Sequence, residues 1–438
     1  MSGAARILLV SGSGGSNTLR YRVRMAEEAL RSRGFATSAR HFTDPQLASW
    51  LREADVLWLY RTPASRRVLR LVETARERRI PVTFDVDDLV FLPEHLESIP
   101  FLDDLPPAQR RIFENDVVRR GNAVRFVDRA SGTTHPVVED LRRLTSAPLD
   151  VLPNGVSRRG ELLAAAAARR SPDGTVRLGY FSGSATHDDD WATIEPAVVE
   201  LMRSDPAVEL WLVGPLTPGP ALAAVVDRVR VVPAVPWTEL PALLAQVDIN
   251  LAPLDATMFT SGKSAIKWLE AALVRTPTLA TATPPFLEAV DDGRTGLLVP
   301  AGGDWLSPLG RLLADAALRA ELGDQARAAA IDQFGPDRQA DRYRDYVGRL
   351  LAGPKVDVDL ALLAELARRE PASRSVGLDL EPFRFEPELA PLTLAPPRGA
   401  RALSQARSTG RVALRRGNRL VRAAMRRLKG PAGTGPSG

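Results

Sequence analysis

The sequence predicts an α/β protein built from two doubly wound, Rossmann-like units, and three observations carry that expectation. Two segments, RILLVSGSGG (6–15) and VRLGYFSGSATH (176–187), share one form: an apolar run of strand length, a Ser-Gly-Ser turn and a helix-length stretch. A turn of this kind lets the backbone reverse sharply and brings a ligand phosphate close to amides at a helix N-terminus. Alternating β-rich and helical stretches follow each start, as parallel sheets covered on both faces require. A chain of 438 residues is also longer than one ordinary core needs.

The elements can be placed in order. In the first unit (1–156), strands are expected at VLWLY (56–60), PVTFDV (81–86), AVRFV (123–127) and LDVLP (149–153). The segment 157–175, polar at its ends and closed by Pro172-Asp173-Gly174, reads as the connection between units. In the second unit (176–352), strands are expected at VELWLVG (208–214), VRVVPAV (229–235), INLAPL (249–254), TPTLAT (276–281) and GLLVP (296–300). From Gly353-Pro354 the alternation stops, and 353–438 reads as a linker, proline-rich over 377–400, with a basic tail.

Composition narrows the function classes. Hydrophobic residues at 45% and charged residues at 25% describe a globular chain that stays in water. No cysteine is present, which removes disulfides, thiol catalysis and cysteine-ligated metal, and fits a reducing compartment. The four histidines, His41, His95, His135 and His187, are scattered, so no metal cofactor is expected. The first apolar run is too short for a signal peptide, and no run of about 18 apolar residues suggests a membrane span.

Charge is unevenly placed. Eleven basic residues and no acid follow Glu388, against a whole-chain charge of +5, so the rest of the chain carries −6. In the tail, Val421, Ala424, Met425 and Leu428 recur at helical spacing among arginines. Residues 411–429 therefore suit an anionic membrane surface, each basic group adding about 1 kcal/mol. Nucleic-acid binding and an unstructured basic end are the competing readings; the membrane surface is preferred and no nucleic acid is expected. The location expected is cytoplasmic, peripheral at the inner face of the plasma membrane.

The stretch GKSAIKWLEAA (262–272) stands out because only four of 58 basic residues are lysines and two of them, Lys263 and Lys267, lie here. With Ser261 as N-cap, a helix over 262–274 would align Lys263, Lys267 and Glu270 in one stripe beside an apolar one of Ile266, Leu269 and Leu273. That stripe is either a solvated face with a Lys267–Glu270 pair or an anion site at a helix start. A phosphate loop ending in Gly-Lys-Ser is not supported, since its first glycine would fall on Thr257.

TFDVDDLVF (83–91) is the most chemically loaded segment of the first unit. Asp85 as a nucleophile and Asp87 as acid/base would make a haloacid-dehalogenase-like phosphatase. A metal-binding Asp-x-Asp sits poorly with two Rossmann-like halves. Surface aspartates capping a turn are the plain reading. Arg20 and Arg22 in NTLRYRV, and Arg61 after a strand, would approach the same end of the sheet as Gly14 and Gly15, and arginine can grip phosphate bidentately.

Several segments in order resemble the family 4 type of retaining GT-B glycosyltransferases, over residues 6 to about 351. LRSRGFAT (30–37) is similar to a helix end and glycine before the second strand. THPVVEDLRRLTSAPLDVLPNGV (134–156), VPWTELPALLAQVDINLAPL (235–254) and LEAALVRTPTLATATPPFLEAVDDGRTGLLV (269–299) are similar to later family stretches. The resemblance implies two domains facing a central cleft and transfer of a sugar from a nucleoside diphosphate sugar to a saccharide or lipid-linked acceptor, in envelope or extracellular polysaccharide synthesis. It implies that Glu270 holds the ribose, with Ser182, Gly183 and Glu288 also on the donor side, Gly14, Gly15, Arg20, Arg22 and Arg61 on the acceptor or phosphate side, and Asp87 and Asp88 in the catalytic place.

Two departures stand against that pattern. The first glutamate of the family pair falls on Gly262, and the 182–187 loop lacks the family's arginine and lysine. Lys263 and Lys267 are expected to supply the missing cations to the diphosphate. A catalytically silent GT-B scaffold that binds nucleotide remains the other reading.

Overall fold

The computed structural model describes residues 4–14, 18–99, 102–103, 105–183 and 188–369. Within them lie two six-stranded parallel sheets. The first holds β1 (Arg6–Ser11), β2 (Ala36–His41), β3 (Val56–Tyr60), β4 (Val82–Val86), β5 (Arg129–Gly132) and β6 (Leu149–Val151), in the order β2-β1-β3-β4-β5-β6. The second holds β7 (Val176–Phe181), β8 (Val208–Val213), β9 (Val229–Val232), β10 (Ile249–Ala252), β11 (Thr278–Thr281) and β12 (Leu297–Val299), in the order β12-β11-β10-β7-β8-β9. Both are doubly wound, as expected. Their strand order reverses between β1 and β3 and between β7 and β10, and ligands bind beyond the strand ends at such points.

Near-continuous apolar runs build the centres of the sheets. All of VLWLY in β3 and VTFDV in β4 is buried, which is how a strand covered on both faces reads. At the first reversal, Gly12 is required by close approach: a Cβ there would lie 2.1 Å from the Arg61 carbonyl oxygen. Arg61 itself has φ 46°, a left-handed conformation that costs a residue with a side chain free energy and tends to occur at functional sites.

Four expectations about elements need correction. AVRFV (123–127) is not a strand; the helix Pro107–Val124 runs into it, and β5 is Arg-Ala-Ser-Gly just beyond. The apolar residues of 123–127 are buried under the sheet, whereas β5 itself is made of small residues that show no strand pattern. The helix at 262–274 is two elements. Thr257 caps a single turn, Met258–Ser261, through a capping box, and the main helix is Ile266–Leu273, so Ser261 is not its N-cap and Lys263 precedes it.

The other two concern the division of the chain. Part of the connection 157–175 is a helix, Arg158–Ala166, capped by Ser157. The helix Pro336–Ala352, placed in the second unit by its sequence position, crosses back onto the first: Tyr343 and Tyr346 stack on Trp58 at 5.8 and 5.1 Å between ring centroids. Each such aromatic pair adds about 0.5–1.5 kcal/mol beyond area burial. The helix Leu360–Arg369 also belongs to the first unit, where Leu363 and Ala367 complete its core. The chain thus passes between the units twice, near Asn154-Gly155 and at Gly335.

Candidate functional site

The first helix opens with a π-helical stretch, Leu19–Arg24, a rare conformation often found at functional sites. Three of its four polar side chains take two destinations, the fourth, Arg24, pairing with Glu27. Arg22 points inward: Nε donates to Asp85 Oδ2 at 3.0 Å, Nη1 to the Leu152 carbonyl at 2.7 Å and Asn154 Oδ1 at 3.2 Å, and Nη2 to Asp85 Oδ1. Ser131 donates to the same carboxylate at 2.8 Å. Arg22 and Asp85 are each 1% exposed, so neither reaches a ligand. This corrects two expectations. Arg22 is a brace inside the first unit rather than a phosphate contact, and Asp85 has no room to act as the nucleophile of a phosphatase.

Arg20 and Tyr21 point the other way, across the cleft. Arg20 Nη1 donates to Glu270 Oε1 at 3.1 Å, and the Tyr21 hydroxyl donates to the same oxygen. The Arg20 guanidinium also lies 4.2 Å from the ring centre of Trp237. Glu270, at mid-helix in the second unit, is therefore gripped by the first.

A second set of charges meets at the end of β4. Asp87 accepts from the Tyr60 hydroxyl at 2.9 Å and from Arg61 Nε, while Asp88 accepts from Arg61 Nη2 and lies 3.5 Å from Lys263 Nζ. Burial pushes the Asp87 carboxyl above the usual carboxylate range even though Arg61 opposes it. Burial would raise Asp88 too, but Lys263 and Arg61 outweigh it and hold that carboxyl below its ordinary value. Two adjacent aspartates are driven apart by their surroundings.

Lys263 lies over the Phe259 ring at 4.4 Å, and Lys267 over the Tyr180 ring at 4.5 Å with Nζ 3.5 Å from its hydroxyl. Tyr180 sits near the end of β7, so Lys267 is brought to the second reversal point beside the Ser182-Gly183 turn. Burial lowers the Lys267 pKa to about 8; Asp190 opposes this and Lys263 adds to it. Two cations close enough to disturb each other, at a strand-order reversal, form a place where an anion would be stabilised.

Gly262 explains why no carboxylate stands there. A Cβ at 262 would lie 2.6 Å from Leu89 Cγ of the first unit, and Thr134 Oγ1 donates to the Gly262 carbonyl at 3.2 Å. The backbone of 262–264 is docked directly on the opposite unit, with Asn154 Nδ2 donating to Ser264 Oγ at 2.9 Å.

Of the expected site residues, the structure brings Asp87, Asp88, Arg61 and Lys263 into one cluster and Arg20 and Glu270 into another. Lys267, Ser182 and Gly183 share the end of β7. Glu288 is elsewhere: it pairs with His135 at 3.0 Å and lines a cavity that neither lysine lines. Gly14 follows the β1 turn, while Gly15 and 411–429 lie outside the described residues. Tyr21, Tyr60, Tyr180 and Trp237 escaped the sequence reading. Tyr21 had a usable signal, since it stands between two arginines already singled out.

Residues 180–315 match the family model described as Glycosyl transferases group 1. That match spans most of the second sheet and its helices, so the similarity to group 1 glycosyltransferases lies in residues 180–315. No curated protein matches the chain. Among solved structures, this glycosyltransferase resembles sucrose-phosphate synthase from Thermosynechococcus elongatus, with TM-score 0.57 and 17% identity over 80% of this chain and 99% of that one. It also resembles HepE from Anabaena in complex with UDP and glucose, with TM-score 0.55 and 15% identity over 78% and 99%. A glycosyltransferase from Rickettsia africae gives TM-score 0.55 and 11% identity over 81% and 100%. The fold is GT-B. Among the described residues no helix is long and apolar enough to cross a membrane.

Proposed function

We propose that this glycosyltransferase moves a sugar from a nucleoside diphosphate sugar to a saccharide or lipid-linked acceptor with retention of anomeric configuration. The observation that carries the reading is the placement of Lys267, half-buried over Tyr180 at the β7 reversal with Lys263 near it. In the reaction the bond from the anomeric carbon to the diphosphate breaks, one forms to an acceptor hydroxyl oxygen, and that hydroxyl's proton passes to the departing diphosphate. The developing charge on the leaving diphosphate is what the two ammonium groups would stabilise, without a metal ion. HepE, bound to UDP and glucose, supports a nucleotide sugar as donor.

Glu270 would hold the ribose once it exchanges Arg20 and Tyr21 for ribose hydroxyls. Asp87 and Asp88, with Arg61, would face the reacting sugar from the first unit. Closure of the units would exclude water from the anomeric carbon. The basic segment 411–429 would hold the enzyme at an anionic cytoplasmic membrane face, where lipid-linked acceptors for envelope polysaccharides are presented. The deciding experiment is transfer and donor binding with UDP-, GDP- and dTDP-sugars, wild type against Lys267→Ala; loss of donor binding in the variant supports the reading, and unchanged donor affinity contradicts it.

A further inference from the structure

A cavity of about 280 Å³ lies between the two units behind the 262–264 backbone, on the hinge side of the helix Ile266–Leu273. Ile266, Trp268 and Leu269 line it, while Lys267 does not, so it is separate from the lysine face. Both passages of the chain between the units border it, through Pro153-Asn154 and through Phe334 and Arg342. An occupant would touch both units and both passages of the chain between them.

Its chemistry is specific because most of its polar lining is already used. Thr133 donates to the Asp87 carbonyl, Thr134 to the Gly262 carbonyl, and Asn154 to Ser264. At the rim His135 is paired with Glu288. Arg342 is different: its Nη1 donates to the Gln333 carbonyl at 2.7 Å and its guanidinium lies 5.8 Å from the Phe334 ring centre, but among the described residues no carboxylate pairs with it. Burial, then the neighbouring Arg338, holds its pKa below the ordinary guanidinium value, as an uncompensated cation shows. A half-buried charge without a counter-charge is costly unless an anion joins it.

We infer that this cavity is a second ligand site, for a small amphipathic anion whose carboxylate or phosphate group meets Arg342 and whose apolar body lies against Trp268, Ile266 and Pro285. Preformed pockets with an apolar wall and one or two convergent polar groups are the usual form of small-molecule sites. The site does not depend on the sugar-transfer reading, because it shares no charged group with the donor face.

The test is a thermal-shift titration of the full chain, without nucleotide sugar, using phenyl phosphate, benzoate, inorganic phosphate and benzyl alcohol as probes at up to about 10 mM. Phenyl phosphate or benzoate should raise the midpoint by about 2 °C or more, and the one that does so names the head group; inorganic phosphate and benzyl alcohol should not. Arg342→Met, which keeps the stem, and Ala289→Phe, which fills the cavity, should each remove the shift, whereas Lys267→Ala should keep it. Two variants guard against one that fails to fold. No shift with either amphipathic anion, a shift that survives both cavity substitutions, or one that Lys267→Ala abolishes would overturn the inference.

Discussion

Arg20 of the first unit donates to Glu270 of the second at 3.1 Å, so the carboxylate suited to a ribose is already occupied from across the cleft. Lys263 is likewise met by Asp88. In this arrangement the first unit occupies both groups with charged partners of its own. On the proposed reading, a donor would exchange these contacts rather than fill an empty space.

Exchange has a measurable consequence for Glu270. Glu270→Gln keeps the shape but removes the charge that holds Arg20. Donor kcat/KM should fall by about 10²-fold, equivalent to about 2.7 kcal/mol. Steady-state kinetics with the active nucleotide sugar checks this, and a variant within twofold of wild type would show that Glu270 serves only the domain contact.

Arg22 and Asp85 should behave as structure. Asp85→Ala leaves a buried guanidinium without its partner, a change expected to cost about 3–5 kcal/mol. Urea unfolding should show the loss directly. A variant with wild-type stability and no activity would instead restore Asp85 as a chemical residue.

Lys267 should show that function is held at the expense of stability. Burial holds its folded pKa at about 8, below the ordinary lysine value of 10.5. The folded state therefore binds fewer protons than the unfolded chain between those values, and its destabilising share is fully present below pH 8 and relieved as pH rises toward 10.5. Lys267→Met removes the penalty, so it should raise stability at pH 7 by an amount on the order of 1 kcal/mol while losing donor binding. In wild type, donor affinity should weaken as pH rises through about 8; Lys267→Arg, charged throughout, should flatten that dependence. Parallel pH titrations of binding separate these outcomes.

Gly262 offers a test of docking between the units. Gly262→Ala drives a methyl into Leu89 and should cost about 1–3 kcal/mol. Adding Leu89→Ala should recover part of that loss, a coupling that a double-mutant cycle measures. Strict additivity would mean that the two do not touch.

Much of this was legible in the sequence because the signals were local. Apolar runs such as VLWLY and the paired Ser-Gly-Ser turns define two wound sheets, and the rarity of lysine singled out Lys263 and Lys267. Depth was not legible. Arg20 and Arg22 are two positions apart in one motif, yet the π-helical turn sends one across the cleft and buries the other against Asp85. The crossing of Pro336–Ala352 was hidden as well, since its tyrosines fit either core and only the complementary Trp58 face decides. AVRFV misled because burial under a sheet and membership of a sheet demand the same apolar residues.

The most direct test is a calorimetric titration of UDP-, GDP- and dTDP-sugars into wild type, Lys267→Ala and Lys263→Ala at pH 7, without added metal. One nucleotide class should bind wild type at micromolar to millimolar concentration and lose about tenfold or more in affinity with either substitution. Wild-type affinity retained in both variants would contradict the role given to the two lysines, and no binding of any donor to wild type would contradict the transferase reading itself.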